Sequence, residues 1–274
     1  MMRRAAIIAM LAAALVVPAL AAACGGSSKK AAPAYSGLYI SLGDSIAAGN
    51  GASDPARTSF VALLAHDEGD LPVLQLAKAG ATTQDVLDTQ MRPALDAIAS
   101  KKMAFITIAI GGNDLAALVP NTACTREPLP PTCPLDSTLV VVEHNLNLIM
   151  GQLRAAAADV PIVLLAYPNF FSGTGHPFEA PAARVLPKLD DVIRHVAEGY
   201  PHTQVADATH AFDGKGRTLT HVLDPRFDPH PTDAGHRVIA GTFEAALAAE
   251  RDFRRLNGLP NLQPAPDARP DPPT

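Results

Sequence analysis

Five short apolar runs, spaced by longer amphipathic stretches, constrain this chain more than any other feature. Residues 104–110 and 161–166 are nearly uninterrupted apolar segments; 37–42 is a largely apolar run of six, and 73–76 and 203–206 are shorter runs that include polar residues. Helical periodicity fills the intervals at 58–66, 82–91, 137–159, 182–198 and 232–256, with Pro187 expected to break or restart the fourth. Strands that are apolar along their whole length belong in a parallel sheet covered on both faces. Alternation of strand and helix then predicts a doubly wound three-layer α/β/α sandwich. Ligands of such folds bind beyond the carboxyl ends of the strands.

That rule makes the strand ends informative. Gly43-Asp44-Ser45, Ala79-Gly80, Gly111-Gly112-Asn113-Asp114 and Tyr167-Pro168-Asn169 each follow a predicted strand at once. Glycine and asparagine suit the tight turns needed there. Turn formation alone does not explain why a serine and an asparagine fall on one edge, with a late His-Pro pair, His230-Pro231, before the last helix. A serine hydroxyl needs a base to become a nucleophile. The base is usually a histidine oriented by a carboxylate, and the developing oxyanion needs preset donors.

Gly43-Asp44-Ser45-Ile46, Gly80, Gly111-x-Asn113-Asp114 and the segment leading to His230-Pro231 together resemble the SGNH hydrolases, also called GDSL esterases, in that family's order and over most of residues 38–243. The resemblance implies a flavodoxin-like sandwich, no metal and no organic cofactor. It implies that Ser45 is the nucleophile, with His230 as general base. Oxyanion donors would be the backbone N–H groups of Ser45 and Gly80 and the Asn113 side chain. Each residue also has a plainer reading: Ser45 as a helix cap, Asn113 as a turn former, Asp44 and Asp114 as structural carboxylates. The Gly-x-Ser-x-Gly elbow of α/β-hydrolases is absent.

The fourth block departs from the family's Asp-x-x-His. Position 227 is phenylalanine, and the run reads Arg226-Phe227-Asp228-Pro229-His230-Pro231. Asp228 is the first choice for the acid and Asp224 the second; a His230 dyad without a carboxylate is the third. Other histidines lack a partner block: His176 mimics the motif before a different helix, His236 lies inside the last helix, and His202, His210 and His221 fall in loops.

The first 23 residues read as a signal peptide: Arg3 and Arg4, an uncharged run to Ala23, then Cys24-Gly25-Gly26. Small residues before Cys24 are similar to a bacterial lipobox, so Cys24 is the expected lipid anchor. An ordinary cleavage after Ala-x-Ala and an uncleaved span are the alternatives. Residues 24–34 then form a tether, 35–257 the hydrolase domain, and 258–274 a Pro-rich disordered tail. Outside the cytoplasm, Cys124 and Cys133 are expected to close a local disulfide. A net charge of −5 without a basic stripe points away from nucleic acid. The expectation is therefore a monomeric, membrane-attached extracytoplasmic esterase acting on a small-molecule, lipid or acylated-sugar ester. A lysophospholipase, a thioesterase, a polysaccharide O-acetyl esterase and a non-catalytic envelope-binding lipoprotein are the alternatives.

Overall fold

The computed structural model describes residues 35–260, apart from 117, 119–123, 125, 127 and 129. The expected signal peptide, Cys24, the tether and the tail beyond 260 lie outside the described residues.

The five apolar runs become β1 (Leu38–Gly43), β2 (Val73–Gln75), β3 (Met103–Ala109), β4 (Ile162–Ala166) and β5 (Thr203–Asp207). They form one parallel sheet in the order β2-β1-β3-β4-β5. Every residue of β3 and β4 is buried, as continuous apolar strands require. β1 lies between β2 and β3, so the winding direction reverses there. The crevice at this switch point opens where Gly43 pairs with Ala109.

Short helices α1 (Ser45–Ala48), α2 (Pro55–Thr58) and α3 (Phe60–Asp67) follow β1. The expected single helix over 58–66 is thus divided. Ser59 is extended and its hydroxyl accepts the Ala62 N–H at 3.2 Å, which starts α3 afresh. After β2 come α4 (Thr83–Asp85), a π-turn (Val86–Gln90) and α5 (Met91–Ser100). Thr82 caps this segment through a capping box with Asp85, and the helix runs nine residues past the expected end at Met91. α6 (Gly112–Ala116) and α7 (Leu135–Ala156) precede β4, and α8 (Glu179–Glu198) follows it. Pro187 neither breaks nor restarts α8. Among the described residues the last helices are α9 (Gly216–Leu219) and α10 (Asp233–Leu256), the latter capped by Thr232.

The α3 and α10 helices pack on one face of the sheet, and α5, α7 and α8 on the other. The core between them includes Tyr39, Phe105, Ile106, Phe60 and Phe243. Among the described residues, no helix is long and apolar enough to cross a membrane.

Candidate active site

Ser45 is the first residue of α1, immediately beyond the end of β1. An N–H in the first turn of a helix has no intrahelical acceptor, so the Ser45 N–H is available to a ligand. Gly43 sets the turn: its φ is +134°, and a Cβ there would sit 2.0 Å from the Ala109 carbonyl oxygen. The buried Gln90 holds Gly43 from the side, donating to its carbonyl and accepting its N–H, both at 2.8 Å. The π-turn places that glutamine. The Met91 N–H bonds five residues back to Val86, and the widened turn carries Gln90 fully buried toward β1.

Asp44 caps α1 by accepting the Ile46 N–H at 2.9 Å. Its other oxygen accepts the Tyr167 hydroxyl at 2.6 Å. Burial pushes the Asp44 carboxyl up to about 7 against the pull of these two bonds. Tyr167 follows β4, and its own N–H donates to the buried Asp190 at 2.7 Å. Sequence reasoning saw Tyr167 as turn punctuation only, although it braces the cap of the serine's helix.

The second and third blocks are tied together. Lys78–Ala81 is a turn closed by Ala81 N–H to Lys78 O at 3.1 Å, with Gly80 at φ +79°. Asn113 donates one amide hydrogen to the Ala81 carbonyl at 2.9 Å, which leaves its second amide hydrogen. Asp114 accepts from the Thr83 N–H at 3.0 Å and from its hydroxyl at 2.7 Å. Asn145 of α7 donates to that hydroxyl at 3.0 Å. Asp114 is therefore bonded as a structural carboxylate.

His230 lies three residues before the first residue of α10, on a segment bridged to Thr220 through Pro231. One Asp228 oxygen bonds both the His230 N–H and its ring Nδ1. Two residues of spacing suffice because the carboxylate folds back over its own turn. The Asp228 carboxylate is held below its usual range: burial works upward, and the His230 N–H, the His230 ring and His221 outweigh it. With Nδ1 taken, Nε2 is the nitrogen left for proton transfer. Asp224, the second choice for the acid, instead bonds His221 Nδ1 at 2.8 Å. His236 is buried, with Nε2 on the Asn50 carbonyl at 2.9 Å and Nδ1 facing the Phe60 N–H at 3.3 Å.

Ser45, Asn113 and His230 line one cavity of about 320 Å³. Gly80 sits outside that lining, in an exposed turn one residue from the carbonyl that Asn113 holds. The cavity walls are apolar and include Leu115, Phe171, Phe178, Leu186 and Phe227. Phe227, at the position where the family pattern places the acid, packs beside Phe171, His176 and Phe178. His176 thus packs against the aromatic residues of the pocket wall without lining the cavity itself. Cys124 also lines the cavity and is disulfide-bonded to Cys133, as expected. No cluster of three or more metal-ligating side chains occurs among the described residues.

Comparison with solved structures places the fold among esterases and lipases. Phospholipase A1 from Streptomyces albidoflavus NA297 superposes with TM-score 0.61 at 23% identity, covering 77% of this chain and 99% of that one. The extracellular lipase from Streptomyces rimosus gives 0.59 at 22%, covering 76% and 99%. The acetylxylan esterase from Geobacillus stearothermophilus gives 0.53 at 22%, covering 79% and 96%. Such identities carry the fold alone. Among curated protein sequences none matches. The sequence model of one family does match, over residues 41–238, and on that span the chain belongs to the GDSL-like lipase/acylhydrolase family and is an ester-hydrolysing enzyme.

Proposed function

We propose that the enzyme cleaves carboxylic esters through an acyl-enzyme on Ser45, with His230 as general base and Asp228 as its orienting acid. The observation that carries this is the convergence of Ser45, Asn113 and the Asp228-bound His230 on one apolar cavity. His230 Nε2 takes the Ser45 hydroxyl proton as the oxygen attacks the acyl carbon. The tetrahedral oxyanion is met by the Ser45 N–H and the second Asn113 amide hydrogen, with the Gly80 N–H as third donor. His230 then returns the proton to the leaving alcohol, and water repeats the sequence to release the acid.

The acyl group is an apolar chain longer than acetyl. A cavity of 320 Å³ at about 30 Å³ per water-sized group holds on the order of ten heavy atoms. The names of two similar structures, a phospholipase and a lipase, agree with such acyl groups. Attachment to the outer face of the membrane through a lipidated Cys24 is part of the same reading. Mass spectrometry of the mature N-terminus tests it, and an unmodified terminus elsewhere refutes it. For the chemistry, Ser45→Ala is expected to abolish release of p-nitrophenol from p-nitrophenyl octanoate while circular dichroism stays unchanged. Retained turnover would refute the assignment.

A further inference from the structure

The turn behind the nucleophile helix touches the segment that carries the base. A Cβ at Gly51 would lie 2.3 Å from the Pro231 carbonyl oxygen and 2.8 Å from the His230 Cβ. Displacing that turn therefore displaces His230. Asp233, the first residue of α10, holds the turn's far end through the Ser53 N–H at 2.8 Å and the Thr58 hydroxyl at 2.8 Å. Two histidines hold its middle, His236 on Asn50 and His221 on Gly51.

The proton count of these two rings differs. His236 Nδ1 faces an N–H and must carry a lone pair, while Nε2 faces a carbonyl and must carry a proton. That is a neutral imidazole. His221 Nε2 faces the Gly51 carbonyl at 2.9 Å, and Nδ1 faces the Asp224 carboxylate at 2.8 Å. Both partners are acceptors, so both nitrogens must donate. The His221 backbone N–H also donates to the His230 carbonyl at 3.0 Å.

We propose that His221 is a positioning residue that locks the His230 segment onto the turn behind Ser45, and that it does so only as an imidazolium. Loss of either ring proton sets a lone pair against an acceptor and releases one side of the lock. The charged groups around the ring are the Asp224 and Asp228 carboxylates, with the His230 and His236 imidazoles beside them. Burial works to lower the His221 pKa, and the bonds to Gly51 and Asp224 outweigh it, holding it above the ordinary imidazole value. A raised histidine pKa means the lock is complete at low pH and is lost as pH rises through that value. This inference rests on His230 being the base.

The test pairs kinetics with a readout independent of turnover. In kcat/KM for p-nitrophenyl octanoate, an alkaline limb with a fall on the order of tenfold is expected, since small displacements of a base cost rate steeply. Asp224→Asn removes the carboxylate and is expected to move that limb down by about one pH unit, leaving the plateau below it in place. A limb that stays put, or an equal loss at every pH, overturns the proposal. Should that variant fail to fold, ¹⁵N NMR of the full-length protein decides. Two protonated His221 nitrogens near neutral pH are expected, and one protonated nitrogen overturns it. The spectrum in Ser45→Ala reports on His221 even if Ser45 or His230 proves not to be catalytic, so the two failures are distinguishable.

Discussion

Asp44→Asn offers a test of the electrostatics behind the nucleophile. Asp44 is 2% exposed, and burial lifts its carboxyl from an ordinary 3.8 to about 7. The folded state then binds more protons than the unfolded state between those two values, so stability falls as pH rises across that window and levels off above it. The slope is about 1.4 kcal/mol per pH unit, and the full loss is about 4 kcal/mol. Asparagine keeps the oxygen that caps Ile46, offers its amide to the Tyr167 hydroxyl oxygen, and carries no charge to bury. The stability gap between variant and parent is therefore expected to widen in the variant's favour by about 3 kcal/mol from pH 5 to pH 8. For a domain of this size that corresponds to roughly 5–10 °C in Tm. Urea and thermal unfolding at both pH values measure it. A gap independent of pH, or one that narrows, would refute the reasoning that Asp44 is charged at a desolvation cost.

Other expectations address the site's parts one at a time. Asn113→Ala is expected to lower kcat by about 10²–10³ with little change in KM, the effect of one lost oxyanion donor; steady-state kinetics decides. Asp228→Asn should cut kcat by at least 10² while leaving the fold intact, because the imidazole loses the partner that fixes its tautomer. An ester series should show kcat/KM rising at least tenfold from acetyl to octanoyl as added methylenes are buried, at up to about 0.8 kcal/mol each, and Phe227→Ala should flatten that rise. Replacing Cys124 and Cys133 by serine opens a loop of sequence separation 9; chain entropy predicts a loss of about 2–3 kcal/mol in denaturant unfolding.

The centre of the sheet was legible in the sequence because β3 and β4 are almost wholly apolar and the strands around the site end in turn punctuation, whereas β2 and β5 at the edges carry polar residues and are only partly buried. Ser45, Asn113 and His230 were legible as types at expected places, and they meet at one cavity. What was not legible depends on contacts across the fold. Tyr167 finds Asp44 over 123 residues of sequence, and Gln90 finds Gly43 over 47. Neither pairing leaves a local pattern. Spacing puts Asp228 first and Asp224 second but does not fix the geometry, since Asp228 stands one residue past position 227 and adjacent residues of an extended chain point apart. The turn at Pro229 brings Asp228 back to His230, and the Gly51 carbonyl draws His221 and Asp224 into a different pair. Ser59 looked helical by hydropathy around it, yet its hydroxyl competes for backbone N–H groups and restarts the helix.

The most direct test of Ser45 as an activated nucleophile is fluorophosphonate labelling followed by peptide mass spectrometry. One adduct is expected, on Ser45, formed at least 10²-fold more slowly in His230→Ala, because the base supplies the activation. No adduct, an adduct elsewhere, or equal labelling without His230 would contradict it.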